Sequence, residues 1–422
     1  MSAYESKKVY IPHMCDHALI LGATLRALGT PAEVLPPPDM ETLTLGRARS
    51  LGRECLPMFL TIGDILRRAQ AADFVPAQSV YFMPTTSGPC RFGQYRTMIR
   101  LHLDAAGLHQ VEIISPNAEN GYQGTGDDPL RFRLLAWQGI VAVDLLTRLA
   151  YQYRPDEAQP GAVDVLYHTA LERLVEAVEA GGGRHIVAVM HWLADEFALL
   201  PLRRQPHPWI GIVGEIYLRA NPFANQNIVR QVEALGGRVW VAPMMEWFYF
   251  TIWGTAQRAR ARRQWGAWLK ARLIEWGQHM IEAAILRPVA PLLAFPHEPT
   301  MSRLMRQVEP YYDPPLGTEA ALSVGKSLDF ARRGVCGVLN LLPFACMPGT
   351  VVTGLAPAIC ADHDHLPWLD IIYDAQGETN IQTRLEAFMY QAWRYMERMP
   401  KRNETENFAG RRRFNVARHA DL

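Results

Sequence analysis

Short apolar runs alternate with amphipathic stretches through the first third of the chain. Lys7–Met14 (KKVYIPHM) predicts a strand, and residues 16–29 (DHALILGATLRALG) predict a helix closed by Gly29. AEVLP (32–36) is extended, CLPMFLTIGDILRRAQAA (55–72) has helical apolar spacing, and SVYFMP (79–84) is a second strand. A helix over 90–107 and the strand VEIIS (111–115) complete the series. Strands this short, separated by helices of this length, predict βαβ units on a parallel sheet.

Past the turn-rich segment PNAENGYQGTGDDP (116–129) the period changes to 3.6, as in LLAWQGIVAVDLLTRLAYQY and ALERLVEAVEA, which predicts a helical subdomain ending at the proline-rich LRRQPHPW. WIGIVGEIYL (209–218), NIVRQVEALGG (227–237) and RVWVAP (238–243) restart the strand–helix alternation. Aromatic-rich helical sequence follows to about residue 330, then the strands GVLNLLP and LDIIYD and a last helix over 380–398. The expected fold is α/β: two Rossmann-like parallel-sheet domains, 1–125 and 206–400, a helical subdomain at 126–205, a helical insertion at 246–330, and a polar, basic tail at 401–422. The tail reads as a solvated segment, or alternatively as a docking arm.

Composition narrows the function classes. The 422 residues allow two or three domains, and 43 Lys+Arg against 42 Asp+Glu give a net charge of +1, without the basic excess of a nucleic-acid binder. Six cysteines in this length do not make a disulfide scaffold. Pro12 and Asp16 interrupt the apolar run that follows Lys7 and Lys8, so no signal peptide is read and a cytoplasmic setting is expected. Gly334–Ala361 is uncharged and long enough to span a bilayer, but it holds Pro343, Pro348 and Pro357 besides three glycines. It reads as a buried strand running into a loop, not a membrane span.

Chemistry is expected where strands end. SVYFMP runs into TTSGPC and VLNLLP runs into FACMPG, placing Cys90 and Cys346 just beyond the carboxyl ends of buried strands. Ligands of open α/β sheets collect at that edge, beside helix amino ends that favour anions and lower a thiol pKa. Cys55, in GRECLP, opens a helix after an extended, glycine-containing segment. No paired C-x₂₋₄-C spacing of a structural zinc site is present. Iron–sulfur clusters accept thiolates from scattered loops, and an isolated cysteine is otherwise a small buried apolar residue.

Four segments carry a family likeness: GPCRFGQY (Gly88–Tyr95), GEIYLRANPFANQ (Gly214–Gln226), LPFACMPGT (Leu342–Thr350) and PWLDIIYDAQGETNIQTRLEAFMYQA (Pro367–Ala392). Together, and in this order, they resemble the 2-hydroxyacyl-CoA dehydratase superfamily, most closely its acyl-CoA dehydratase activase-related branch. The likeness runs from IPHMCDHALILGATLRALG to the RLEAF helix. It implies an oxygen-sensitive protein with a 4Fe–4S cluster on Cys55, Cys90 and Cys346, at the strand edges between the two sheet domains. With three thiolate ligands, one iron keeps an open position. A double-cubane cluster on more cysteines is the variant, with Cys15 the best fourth ligand and Cys336 and Cys360 read as core thiols. The likeness further implies a homodimer or heterodimer, a small-molecule substrate, and low-potential electrons from a separate ATP-dependent activase of actin-like/sugar-kinase fold, since no such ATPase domain is read in this chain. No CoA-binding signature is found. A non-catalytic electron carrier or cluster scaffold, and a cluster-free α/β metabolite-binding protein, are the alternatives.

Other residues carry paired readings. Glu215 and Arg219, after GIVG, are substrate or cluster-neighbour residues, or else a helix cap with an ion pair. Glu246 and Asp374 at strand ends are acid/base candidates or caps, and Arg91 either tunes Cys90 or faces solvent. His13, Cys15 and His17 form a local chelate or cap a helix, and His363-Asp364-His365 is a solvated loop. Gly325-Lys326-Ser327 fails as a phosphate loop because Ala320 stands where glycine is required. Trp247, Phe248, Tyr249, Phe250 and Trp253 read as core or subunit interface.

Overall fold

The structure is a computed structural model describing residues 7–48, 50, 52–86, 88, 90–117, 125, 128–314, 318–375 and 380–399. The tail at 401–422 and most of the turn-rich 116–129 segment lie outside the described residues.

The first sheet is built from β1 (Lys8–Ile11), α1 (His17–Ala27), β2 (Ala32–Val34), α2 (Met40–Arg47), α3 (Leu56–Arg68), β3 (Ser79–Phe82), α4 (Tyr95–Ala105) and β4 (Glu112–Ile114). Three long helices follow: α5 (Pro129–Tyr153), α6 (Ala162–Glu179) and α7 (Arg184–Leu199). The second sheet opens with β5 (Trp209–Gly214), α8 (Ile216–Ala220), α9 (Ile228–Ala234) and β6 (Arg238–Val241). After α10 (Met245–Ala261), α11 (Trp265–Leu286), α12 (Met301–Val308) and α13 (Glu319–Arg332), it resumes with β7 (Gly337–Pro343), α14 (Met347–Asp362), β8 (Trp368–Tyr373) and α15 (Ile381–Arg398).

The two sheets share one plan, β2-β1-β3-β4 and β6-β5-β7-β8, with every pair parallel. The expected α/β fold with two parallel-sheet domains is what the chain forms. In each sheet the strand order reverses beside the first strand, between β1 and β3 and between β5 and β7. Such a reversal splits the flanking loops and opens a crevice at the carboxyl edge.

The helical stretches after β4 and β6 do not form separate bodies. Leu146 and Leu149 of α5, Leu174 of α6, Met190 of α7, Tyr249 and Trp253 of α10, and Leu304 of α12 belong to one buried cluster, which also takes in Ile20 of α1. The aromatic set after β6 lies in or against this core. Helix α5 is the one described helix long and apolar enough to cross a membrane, and its most apolar stretch is 72% buried inside the protein. On α11 the opposite face stays open, with Trp265, Leu269, Leu273, Trp276 and Met280 exposed.

Two local expectations are corrected. The segment before Cys55 contains α2, started by Asp39, whose carboxylate accepts from the Thr42 N–H at 3.0 Å. The uncharged stretch after β7 is helix α14, not loop. Pro348 sits in its first turn, where an N–H is dispensable, and Pro357 falls on an exposed face.

Helix α3 carries Cys55 at its amino end and is set by close backbone contact with α2. A Cβ on Gly46 would stand 2.0 Å from the Phe59 carbonyl oxygen, and one on Gly63 would stand 1.9 Å from that of Thr42. Two reciprocal glycines therefore let the helices touch. Gly46→Ala or Gly63→Ala forces them apart and is expected to cost about 1–3 kcal/mol in urea unfolding, with no change in helix content.

Candidate functional site

Cys55, Cys90 and Cys346 occupy equivalent local positions. Each is the residue that starts a helical segment in extended backbone: α3, the 3₁₀ turn Arg91–Gln94, and α14. Proline follows two residues on at Pro57 and Pro348, which suits a first turn with no N–H to satisfy. Each sulfur lies at the start of a helical segment. Cys90 Sγ accepts from the Phe92 N–H at 3.5 Å, whereas the Cys55 and Cys346 sulfurs make no capping bond, the nearby Met58 and Gly349 N–H groups only lowering their thiol pKa values against burial.

One guanidinium joins the three loops. Arg91 donates to the carbonyl of Arg53 at 2.6 Å, two residues before Cys55, to that of Phe344 at 3.3 Å, and to that of Ala345 next to Cys346. Ala345 is held at φ +55, a conformation uncommon for residues with a Cβ, so this loop is strained where it meets Arg91. A second link is Asn221, which donates to the carbonyls of His13 and Met14 at 3.2 and 3.1 Å. The carboxyl edges of the two sheets are therefore hydrogen-bonded to each other. Gly214, at φ +112 with room for no Cβ beside the Leu341 carbonyl, ends β5 and turns the chain into Glu215.

The electrostatics confirm that the sulfurs share a neighbourhood. Burial raises all three thiol pKa values, that of Cys346 to about 12. Glu215 adds to the rise at each of them, Glu319 at Cys90 and Cys346, Cys55 at Cys346, and Cys346 at Cys90. Tyr95, in the GPCRFGQY motif, holds its hydroxyl 2.8 Å from Cys55 Sγ. Glu215 starts α8 by accepting from the Leu218 N–H at 2.9 Å, so the helix-cap reading applies, and it also faces the thiols. Gly214, Glu215, Glu319, Ser323 and Cys346 line a hollow of about 10 Å³.

Burial holds the metal-free thiols protonated beside the half-buried carboxyls of Glu215 and Glu319, and soft sulfur donors at helix starts suit a cationic iron–sulfur core that would displace their protons. Among the described residues no three or more His, Cys, Asp or Glu side chains sit as the ligands of one metal ion would. A single ion at about 2.3 Å from each sulfur draws its ligands into contact. A four-iron cubane is wider, and its ligands stand further apart. Three soft sulfur donors at helix starts are the ligand type that such a cluster takes.

The remaining candidates go elsewhere. Arg219 is buried, donates to the Pro243 carbonyl at 3.3 Å, and lines a different and larger cavity of about 80 Å³. Glu246, in the first turn of α10, is 2.9 Å from Lys326 Nζ inside a buried network with Glu298, and not at the thiols. Lys326 lies within α13, so the phosphate-loop reading stays rejected. Cys336 immediately precedes β7 and Cys360 lies in the last turn of α14, each roughly 20 Å from Cys346 by strand and helix rise. Cys15 meets His17: its Sγ is 3.4 Å from Nδ1, and His17 Nε2 is 3.0 Å from Asp144 Oδ1. Burial alone would lower the His17 pKa, but Cys15 and Asp144 raise it well above the ordinary value. Arg91 bonds backbone carbonyls while half-exposed, and its charge slightly lowers the thiol pKa of Cys55.

No protein-family model matches this chain, and none of the curated proteins matches it. The site therefore has to be read from its own residues. Tyr95 and Glu319 are the two that sequence reasoning missed. Tyr95 lay inside a motif already singled out, whereas Glu319 reaches the thiols only through the packing of α13.

Glu319 gives the site a pH signature. Burial and the neighbouring Glu215 raise its carboxyl to about 7, against a weaker lowering by Arg219. A carboxyl raised on folding binds its proton more tightly in the native state, so stability is highest below the ordinary carboxylate pKa and falls as pH rises toward 7. The metal-free protein is expected to lose on the order of 3 kcal/mol between pH 4.5 and pH 7.5 from this group. Glu319→Gln should flatten that decline in urea titrations at the two pH values.

Proposed function

We propose that this chain is an iron–sulfur protein resembling the 2-hydroxyacyl-CoA dehydratase components, with Cys55, Cys90 and Cys346 as the ligands of a 4Fe–4S cluster. The observation that carries the reading is the convergence of three helix-starting thiols, from both sheet domains, on loops tied by Arg91. A single cluster is favoured over a double cubane because Cys336 and Cys360 lie at the far ends of β7 and α14, and Cys15 is engaged by His17. When bound, such a cluster supplies a low-potential electron and an iron with an open coordination position.

The chain's own residues do the rest. Arg91 keeps the loops together, the Phe92 N–H bonds the Cys90 sulfur, and the Tyr95 hydroxyl bonds the Cys55 sulfur. Glu319, poised near neutrality, and Glu215 hold or release a proton beside Cys346. Electrons come from an ATP-dependent activase of actin-like/sugar-kinase fold, the substrate is a small molecule, and the setting is cytoplasmic with a second subunit. A second reading, an electron carrier or cluster scaffold, is favoured by the hollow at Cys346, whose 10 Å³ holds no more than a water.

Anaerobic reconstitution with iron and sulfide tests the cluster. The expected result is about four irons and four sulfides per chain, lost in Cys55→Ser, Cys90→Ser or Cys346→Ser and kept in Cys336→Ser and Cys360→Ser. A colourless, iron-free protein would refute the reading. Tyr95→Phe should keep its iron while the cluster potential moves downward, because a hydrogen bond to a ligating sulfur favours the reduced state; voltammetry reads this directly. Spectral response of the fourth iron to added small ligands separates the open site of an enzyme from the closed one of a carrier.

A further inference from the structure

The larger cavity has chemistry of its own. We propose that Cys15, His17 and Asp144 form a nucleophilic thiol triad that takes the acyl group of a small anionic thioester, with Arg219 as partner of the anion.

The geometry has the three roles such a triad needs: a nucleophile, a base beside it, and a group that orients the base. Cys15 Sγ is 3.4 Å from His17 Nδ1, a hydrogen-bonding distance for sulfur, and the other ring nitrogen is 3.0 Å from Asp144 Oδ1. Asp144 cannot drift, because its two oxygens accept from the Met244 and Met245 N–H groups at 2.9 and 2.8 Å, where α10 starts. All three side chains line the cavity, at the carboxyl ends of β1 and β6. Its volume of about 80 Å³ compares with the roughly 10–15 Å³ that admits one water, so a group of a few heavy atoms fits.

The walls select the ligand. Arg148 is spent on Glu298 at 2.9 Å and on the face of Trp240. Arg219 is only 4% exposed, and its one side-chain hydrogen bond among the described residues goes to a carbonyl oxygen. Its charge acts on Glu215, Glu319 and Glu246, but it makes no direct ion pair among the described residues, so its remaining donors are available to an anionic ligand in the cavity. Trp240, Val241 and Ala242 offer the apolar surface for a short carbon chain. A structural tie between α1 and α5 would need only the His17–Asp144 contact. It would need neither the sulfur on the second ring nitrogen, nor the space, nor the under-paired arginine.

The step balances without a redox partner. Cys15 has passed its proton to His17 Nδ1, and the thiolate Sγ of that ion pair bonds to the acyl carbon. The acyl carbon–sulfur bond of the donor then breaks, and the leaving thiolate takes the proton from His17. One thioester replaces another, so little free energy is lost, and water attacking the acyl-Cys15 with His17 as base returns the free thiol.

The inference stands apart from the iron-bound cysteines, and iron content of the same preparations reports on those separately. The purified full chain is treated with S-succinyl-N-acetylcysteamine or its neutral S-butyryl counterpart, and products are mapped by intact and peptide mass. One succinyl group on Cys15 is expected, formed about tenfold faster than the butyryl adduct. His17→Ala should slow it at least about a hundredfold, and Arg219→Gln should erase the preference for the anion. Should those variants not fold, the unmutated protein still decides: iodoacetate should alkylate Cys15 faster than iodoacetamide does. Acylation of Cys15 no faster than of Cys336 and Cys360, or alkylation at Cys15 that favours the neutral reagent, would overturn the proposal.

Discussion

One half-exposed guanidinium, joining three loops at the mouth between the sheets, organises the middle of this protein. Arg91 has no carboxylate ion pair among the described residues and spends its donors on the carbonyls of Arg53, Phe344 and Ala345. Those carbonyls lie in exposed loops past the regular ladders, where no strand or helix partner is available to them. The exchange satisfies both sides at once and fixes how the carboxyl edges of the two sheets meet. Asn221 repeats the device one loop away, on His13 and Met14. Everything assigned to the thiols follows from that junction.

Buried charge is handled in two opposite ways within a short distance. Lys326, fully buried, is surrounded by Glu246, Glu298 and Asp329, and Arg148 and Arg333 complete the balance. Burial opposes ionisation of Glu298, but Lys326 and Arg148 outweigh it and hold its carboxyl below the usual range. This is a structural network, neutral by pairing. Around Cys346 nothing comparable exists: thiols and carboxylates are pushed upward by burial and by each other. Groups kept from their ordinary ionisation mark a place built for a guest or a reaction.

The repeated strand order explains why two sites coexist. Each sheet reverses direction beside its first strand and so opens one crevice at its carboxyl edge. The loops after β3, β5 and β7 supply Cys90, Glu215 and Cys346, while the loop after β1 supplies Cys15 and His17 to the neighbouring cavity beside β6. Arg219 stands between them, lining the cavity while lowering the carboxyls of Glu215 and Glu319. The two sites are neighbours in space and distinct in chemistry.

Periodicity alone determined the class of this protein. Strands such as SVYF and GVLNLLP are buried on both faces and read as continuous apolar runs, and the helices between them leave only a parallel sheet. The positions of Cys55 and Cys90 at helix starts, and of Cys346 just past a strand end, were also local facts, since prolines and strand ends mark such junctions in the chain itself. Local pattern failed at α2, whose cap hides behind three prolines, and at α14, where interior proline reads as a break although its ring faces solvent. It was silent on what Arg91 holds, on Glu319 at the thiols, and on Asp144 reaching His17 from 127 residues away. Contacts of that range depend on how helices and sheets pack, and periodicity along a chain carries no record of which loops the packing will bring together.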